Sequence, residues 1–128
     1  MRLRRNKYGA KKIKDPATGY VFDSKKEFIR WCELRILERT GKISDLQRQV
    51  KYELLPNQYE TYARFSKTGK QLKDGVKLIE RGVSYVADFV YKENGETVVE
   101  DCKGFRTEDY RIKKKLMLYM HNIKVKET

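Results

Sequence analysis

The chain has 128 residues, of which 39% are hydrophobic and 38% are charged, and its 30 lysines and arginines exceed its 18 aspartates and glutamates to give a net charge of +12. This length suits one domain with one core, and the excess of positive charge favours a polyanionic partner, foremost nucleic acid. Because no apolar run could span a bilayer and the amino terminus lacks the apolar stretch of a signal peptide, we expect an intracellular, cytoplasmic protein without a membrane partner.

Residues 1–22 are predicted to form a basic arm and a short extended segment, and residues 23–128 a single domain. The arm is rich in lysine and arginine and has almost no apolar periodicity, whereas "DPATG" predicts a turn and "YVF" an extended piece. A solvated tail explains the arm as well as DNA binding does. If it binds DNA, the phosphate contacts are expected from its cations, which are Arg4, Arg5, Lys7, Lys11 and Lys12.

A first helix is predicted from Ser24 to the stop signal at Gly41. The apolar residues that recur at helical spacing are Phe28, Trp31, Leu34 and Leu37, with Ile36 beside them. Ser24 and Glu27 also fit a capping box, in which the Glu27 side chain reaches back to the backbone N–H of Ser24. The helix is thus expected to bury one face and to begin at a defined residue.

A strand is predicted next in "DLQRQVKYELL", which ends at Pro56. The pattern of residues 57–82 fits either a hairpin or a short helix, and both stay open. The stretch "YVADFVYKENGETVVEDCKG", residues 85–104, then predicts a hairpin with a type I′ turn at Asn94-Gly95.

The register of this hairpin brings two aspartates together. Asp88 lies directly opposite Asp101, and Lys103 projects from the same face because side chains alternate along a strand. Glu100 faces Phe89 on the opposite side of the sheet, so we assign the acidic position to Asp101. Like charges directly opposite one another are destabilising, which indicates that this pair serves a purpose other than stability.

A second helix is predicted from Thr107, which is followed by two acidic residues. Its predicted buried stripe consists of Ile112, Leu116, Tyr119 and Met120. Met117 and Leu118 fall off this stripe and leave an apolar patch that would suit a homodimer contact. The alternating "IKVKE" predicts a final strand, so the order of elements is α-β-β-β-α-β.

The cations beside the second helix are expected to contact the DNA backbone, and these are Arg106, Lys113 and Lys114. A solvated charged face is the usual interpretation of such a run. Cys32 and Cys102 form no CxxC pair, which favours reduced thiols over a zinc site. The only histidine, His121, lies near the end of the predicted helix, so nucleases with a histidine–metal centre are disfavoured.

The chemistry of paired carboxylates favours a metal site. Asp88 and Asp101 need an opposite charge between them, and Mg²⁺ binds to one or two carboxylates together with waters and phosphate oxygens. Water activated by the ion would attack the phosphorus of a phosphodiester, and Lys103 would offset the charge that develops on the phosphate oxygens. A surface cluster in which Lys103 simply balances the two aspartates is the structural alternative.

These residues resemble the PD-(D/E)XK nuclease superfamily, through Asp88, the DxK pattern Asp101-Cys102-Lys103 and the α-β-β-β-α-β order. The segments "NKYGAKK", "FDSKKE", "ISDLQRQ", "YVADFVY" and "VVEDCKGFRT" further resemble a family of small nuclease-like proteins of phages and prophages, over nearly the whole chain. The resemblance implies an α/β fold with a restriction-endonuclease-like core, in which helices flank a mixed central sheet. Ala87 departs from the superfamily's proline, and Asp101 stands where many relatives have glutamate.

The resemblance also implies two further site residues and a cofactor. Many members use a glutamate of the first helix as a metal ligand, and Glu27 takes that position here beside its capping role. It suggests that Gln49 lies close to the active face, although a polar strand edge explains Gln47 and Gln49 almost as well. The implied metal is Mg²⁺, with Mn²⁺ able to substitute.

We therefore expect a Mg²⁺-dependent DNA endonuclease acting in phage recombination, replication or packaging, with branched DNA such as a Holliday junction as its substrate. The expected catalytic residues are Asp88, Asp101, Lys103, Glu27 and Gln49. The alternative is a non-catalytic DNA-binding module that retains the nuclease fold and would bind DNA without metal-dependent cleavage. An RNA-directed function is less favoured because the chain has no aromatic RNA-binding motif.

Overall fold

The computed structural model describes residues 11–102 and 105–128. Over these residues the elements follow in the order β1 (Ile13–Lys14), β2 (Val21–Phe22), α1 (Lys25–Arg39), β3 (Ser44–Leu55), β4 (Gln58–Phe65), β5 (Gln71–Glu80), β6 (Val83–Glu93), β7 (Glu96–Asp101), α2 (Glu108–His121) and β8 (Lys126–Glu127). The expected α/β class is confirmed. With the two-stranded sheets β1–β2 and β4–β5 set aside, the remaining order is the predicted α-β-β-β-α-β.

The central sheet has four strands in the order β3-β6-β7-β8. The pairs β3–β6 and β6–β7 are antiparallel and β7–β8 is parallel, so the sheet is mixed. Phe89 pairs with Glu100, and Asn94 and Gly95 have φ angles of 51° and 79°, which suit a type I′ turn. The predicted hairpin and its register are therefore confirmed.

Two hydrophobic clusters cover the two faces of this sheet. Phe89 belongs to the cluster that contains Trp31 and Leu34 of α1, and its neighbour Val90 belongs to the cluster that contains Tyr110 and Met117 of α2. Successive side chains of a strand point to opposite faces, so the two helices pack on opposite sides. Helices flanking a mixed sheet are what the resemblance led us to expect.

The helix α1 begins and ends where its sequence signals place it. The Ser24 side chain accepts a hydrogen bond from the backbone N–H of Glu27, at 3.2 Å, as an N-cap does. Thr40 is the C-cap, and Gly41 follows with a φ angle of +80°, which glycine adopts without strain. Trp31 and Leu34 are buried as predicted, whereas Ile36 is exposed.

The predicted buried stripe of α2 is right only at Leu116, which is half-buried against the core, and Met120 of the same stripe is exposed. Met117, expected on the surface, is fully buried, whereas Ile112 is 56% and Tyr119 is 84% exposed. The buried face runs through Tyr110 and Met117, and two half-buried lysines lie between them in sequence. Lysine stems can cover apolar surface while their ammonium groups stay in water. A search for apolar residues at helical spacing therefore misses the buried face of this helix, because two of its positions are lysines. The N-cap is Thr107, as predicted.

The remaining segments resolve what the sequence left open. Residues 57–82 contain the β4–β5 hairpin, and the final strand is only two residues long. Residues 13–22 form the β1–β2 hairpin around Asp15, whose side chain accepts hydrogen bonds from the Ala17 backbone N–H and the Thr18 hydroxyl. The first ten residues of the predicted arm lie outside the described part. No helix within residues 11–102 and 105–128 is long and apolar enough to cross a membrane.

Candidate active site

Asp88 and Asp101 lie next to each other at the end of the β6–β7 pairing that is farther from the turn. Asp101 is the last residue of β7 and is fully buried, and Asp88 is half-buried in β6. The backbone N–H of Cys102 donates to Asp88 Oδ2 at 2.9 Å, and the Asp101 carboxylate lies close enough for its charge to act on Asp88. The hairpin thus holds two carboxylates side by side, as its register predicted.

The surroundings of Asp88 disfavour its negative charge. Burial, followed by the charges of Asp101 and Glu27, raises the pKa of Asp88 to about 8, against the opposing effect of the Cys102 N–H. Desolvation and neighbouring carboxylates both favour the neutral form of an acid. A site of this kind takes up either a proton or a cation.

Tyr85 holds the second carboxylate in place. Its hydroxyl donates to Asp101 Oδ2, and its ring lies 6.4 Å from that of Tyr110. Burial raises the pKa of Tyr85, so its phenol stays protonated and remains a donor. Sequence reasoning missed this contact, although a tyrosine in a buried strand signals a partner for its hydroxyl.

Glu27 and Gln49 reach the site from α1 and β3. Glu27 is only 5% exposed, and Gln49 Nε2 lies 3.4 Å from its Oε1. Gln49 has a φ angle of +54°, between the register pairs Arg48–Phe89 and Val50–Ala87. A non-glycine residue in this left-handed conformation costs roughly 1–3 kcal/mol, and such strain is concentrated at functional sites. The structure therefore brings Glu27, Gln49 and the two aspartates together.

Glu100 belongs to a different environment. Arg30 of α1 binds both of its carboxylate oxygens, with Nη2 at 3.1 Å from Oε2, and the Tyr91 hydroxyl donates to Oε2 at 2.7 Å. Burial alone would raise the pKa of Glu100, but the bonds from Arg30 and Tyr91 outweigh it and hold that pKa below its usual value. This confirms that Glu100 faces away from Asp88.

The chain is anchored beside the site at Thr128. Its backbone N–H donates to the carbonyl oxygen of Asp101 at 3.0 Å, and its hydroxyl lies 3.1 Å from Cys102 Sγ. Burial raises the pKa of the Cys102 thiol to about 11, so this sulfur stays protonated at neutral pH. These contacts agree with the prediction that Cys102 is a reduced thiol.

The predicted DNA-binding residues occupy several environments. Lys11 and Lys12 are exposed, and Lys12 Nζ lies 3.9 Å from Asp23. Arg106 and Lys114 both bind Glu127, and Lys113 is half-buried. The predicted site residues that lie outside the described part are Arg4, Arg5, Lys7 and Lys103.

A cationic cavity of about 570 Å³ lies between α2 and β8. Its apolar lining residues are Tyr110, Leu118 and Val125, and Glu127 is the carboxylate in its lining. The five cations that surround it are Arg106, Arg111, Lys114, Lys115 and Lys124. Arg111, Lys115 and Lys124 face the same cavity as the predicted cations Arg106 and Lys114. A phosphate-bearing ligand suits this balance of charge.

The donor set at the aspartates fits a hard divalent ion. Within residues 11–102 and 105–128, no three aspartate, glutamate, histidine or cysteine side chains are grouped so that they could hold a metal ion by themselves. Mg²⁺ does not need such a cage, because it is usually bound through one or two carboxylates and keeps several waters. Asp88 and Asp101 supply that number of carboxylates.

Comparison with known protein families gives a match over nearly the whole chain. A family model described as "Protein of unknown function (DUF1064)" matches residues 5–128. Neither the curated proteins nor the solved structures include a match to this chain.

Proposed function

The chain belongs to the DUF1064 family, and we propose that it is a metal-dependent DNA endonuclease that hydrolyses phosphodiester bonds at Asp88 and Asp101. The observation that carries the proposal is the convergence of these two facing carboxylates with Glu27, which raises the pKa of Asp88. Keeping such a cluster costs stability, and perturbed groups of this kind are concentrated at functional sites. The net charge of +12 supports a polyanionic substrate.

Asp88 and Asp101 would hold Mg²⁺, with Mn²⁺ able to substitute, and Glu27 would act on the ion through a bound water, because no three such side chains of the described residues are grouped as direct ligands. When bound, the ion supplies Lewis-acid chemistry that activates water and offsets charge on the phosphate. Tyr85 fixes the orientation of Asp101 through its hydroxyl, and Gln49 fixes that of Glu27. We assign to Lys103 the stabilisation of negative charge on the phosphate oxygens during cleavage.

The finer features of the fold and the biological setting belong to the same proposal. The α-β-β-β-α-β order and the mixed sheet support a restriction-endonuclease-like core. The resemblance to small phage nucleases supports a role in phage recombination, replication or packaging, in which a homodimer would cut branched DNA such as a Holliday junction. The cavity between α2 and β8 supports this substrate because its five cations suit a phosphate backbone.

The test is cleavage of supercoiled plasmid, a four-way junction and single-stranded DNA by the pure protein, with Mg²⁺, Mn²⁺ or EDTA. We expect metal-dependent cleavage that Asp88→Asn abolishes, while DNA binding in EDTA is kept. Asp45→Asn is the matched control, because Asp45 is exposed and its φ angle of +54° is one that asparagine tolerates. Full activity of Asp88→Asn would exclude the assigned site.

A second candidate function is a non-catalytic DNA-binding module with a nuclease-like fold. One observation favours it: Asp101 is fully buried and engaged by Tyr85, which limits its approach to an ion. This candidate predicts tight binding to DNA in EDTA and no cleavage with any divalent metal. Cleavage that is lost in Asp101→Asn would exclude it.

A further inference from the structure

The β4–β5 hairpin, here named the ribbon (residues 58–80), stands apart from the core. Every residue of β4 is exposed, as is every residue of β5 except Gly75. Neither hydrophobic cluster of the described residues includes a side chain of the ribbon. An isolated two-stranded hairpin is only marginally stable in water, so a ribbon of this length needs a reason to persist.

The base of the ribbon is tied to the central sheet. Leu55 pairs with Val83 and Gln58 pairs with Glu80, so the ribbon continues the β3–β6 pair beyond Pro56. Asn57 Oδ1 accepts a hydrogen bond from the Gly82 N–H at 2.6 Å. A Cβ at Gly82 would lie 2.4 Å from the carbonyl oxygen of Leu55, so the close approach requires glycine here. The ribbon is therefore held in a defined direction.

The tip of the ribbon is ordered and carries only positive charge. Ser66 accepts from the Gly69 N–H through its carbonyl oxygen and from the Lys70 N–H through its hydroxyl, both at 3.0 Å, and Gly69 has a φ angle of +85°. Residues 64–73 contain no acidic residue and four cations, which are Arg64, Lys67, Lys70 and Lys73. No carboxylate of the described residues forms a salt bridge with these four.

Apolar side chains accompany these charges along the ribbon. The large apolar residues, each between 38% and 66% exposed, are Tyr59, Tyr62, Phe65, Leu72, Val76, Leu78 and Ile79. The Tyr62 ring covers Gly75, where a Cβ would come within 2.3 Å of it, and so supports the pairing of the two strands. Exposed apolar surface of this extent marks a contact with a partner.

We propose that the ribbon is a duplex-DNA-binding arm whose basic tip enters the major groove. The charge of the tip indicates which partner binds the ribbon. Four unpaired cations at one turn suit a polyanion and would repel a basic second copy of the chain. The major groove, about 12 Å wide, admits a two-stranded ribbon, and its thymine methyl groups offer apolar contacts. The ten residues of β5 extend about 33 Å at the usual rise per residue, which is close to one turn of B-DNA.

The proposal rests on the proposed function for its choice of DNA. It adds that the ribbon binds the duplex beside the cleaved bond. The ribbon prolongs the two strands that carry Gln49 and Asp88. A duplex held by the tip would therefore lie away from the catalytic carboxylates, and the ribbon would contribute affinity without contributing to the chemistry. Binding in EDTA measures the first property alone.

The first experiment measures binding of a 20-base-pair duplex by fluorescence anisotropy, in EDTA and across a salt series. For Lys67→Gln/Lys70→Gln we expect the slope of log K against log salt to fall by about 1.8, since each lost phosphate contact removes about 0.9. The charge-matched control is Arg39→Gln/Lys42→Gln, which changes two exposed cations between the end of α1 and the start of β3, away from the ribbon. A tip variant with the wild-type slope, or a control that falls equally, would overturn the proposal.

The second experiment identifies the groove with dimethyl sulfate, which methylates guanine N7 in the major groove and adenine N3 in the minor groove. Wild-type protein should protect guanine N7 at one patch of the duplex, and the tip variant should lose that protection. Protection of adenine N3 alone would overturn the placement in the major groove.

The failures of the two proposals are distinguishable. Metal-dependent cleavage together with an unchanged slope in the tip variant would remove the ribbon proposal and leave the nuclease intact. A reduced slope without cleavage under any metal would retain the ribbon and remove the nuclease. Sedimentation of the same variants tests whether the ribbon binds a second copy of the chain instead of DNA. A tip variant that loses self-association but keeps its DNA affinity would show such a contact and overturn the proposal.

Discussion

Asp88 shows how one carboxyl group can link stability to metal binding. Its pKa is raised by burial and by Asp101 and Glu27, so in the absence of an ion the folded protein holds a proton there more tightly than the unfolded chain does. Neutralising this residue should therefore stabilise the folded protein. The same charge that costs stability would be the one that attracts a cation.

Asp88→Asn should raise stability in a pH-dependent way. The folded-state pKa of about 8 lies above the ordinary value of about 3.9, so wild-type stability falls as the pH rises between these values. The difference in melting temperature between variant and wild type should be small near pH 4, grow up to about pH 8 and then level off. Thermal unfolding in EDTA across this range measures it, with Asp45→Asn expected to give no such trend. A difference independent of pH would contradict the assigned cause.

Glu27→Gln separates the two roles of Glu27. The Ser24 cap uses the backbone N–H of Glu27, which the substitution retains, and glutamine keeps nearly the same volume. We therefore expect an almost unchanged melting temperature and a loss of Mg²⁺-dependent cleavage of at least tenfold. Glu33→Gln, which removes an exposed carboxylate of the same helix that pairs with Arg30, serves as control. Cleavage close to wild type would leave Glu27 with a structural role only.

At the scale of elements, α1 is connected to the central sheet by a buried ion pair. Arg30 binds Glu100 of β7, and the Tyr91 hydroxyl completes the set. Because Glu27 lies one turn before Arg30, this pair also fixes the height of α1 above the site. The lowered pKa of Glu100 means that its contribution to stability is present above its unfolded pKa and is lost as the pH falls through its folded pKa.

Arg30→Met should be strongly destabilising, because it leaves the Glu100 carboxylate buried without its cation. Breaking a buried pair in this way costs about 3–5 kcal/mol. The double variant Arg30→Met/Glu100→Gln should recover part of the loss, since the buried charge is gone. Urea unfolding of both variants at pH 7 measures these free energies. A cost below about 1 kcal/mol for Arg30→Met would mean that the pair behaves like an exposed salt bridge.

The corrected face of α2 gives a second prediction at this scale. Met117 is fully buried, so Met117→Ala should cost about 2–5 kcal/mol through lost burial and the cavity it leaves. Tyr119→Ala, two residues further along the same helix, should change stability by less than about 0.5 kcal/mol because Tyr119 is exposed. Urea unfolding compares the two variants. Similar costs would contradict the assigned face.

Particular residues explain how far the whole molecule was predictable. Asn94-Gly95 determined the hairpin register, and with it the pairing of Asp88 with Asp101 and the separate position of Glu100. Ser24 and Thr107 marked the helix starts. The contacts of Tyr85 with Asp101 and of Gln49 with Glu27 join residues far apart in sequence, and no local pattern encodes them. The ribbon stayed ambiguous because both its faces are exposed, which removes the alternation of burial that marks most strands.

Mg²⁺ should stabilise the whole fold if it binds only the folded state. The melting temperature should rise with Mg²⁺ concentration by mass action, equivalent to about 2.7 kcal/mol at one hundred times the dissociation constant. The rise should be larger at pH 8.5 than at pH 6, because a proton competes with the ion at Asp88. Asp101→Asn should lose the rise. Equal rises in wild type and Asp101→Asn would place the ion elsewhere.

The anchoring of Thr128 has a practical consequence for anyone who handles this protein. Its backbone N–H is bonded to the carbonyl oxygen of Asp101 and its hydroxyl touches Cys102, so a peptide joined to Thr128 starts close to the acidic centre. An affinity tag of six histidines there would bring imidazoles close to a carboxylate pair and could load it with nickel from a purification column. A tag-free sample is therefore the proper reference for every metal titration.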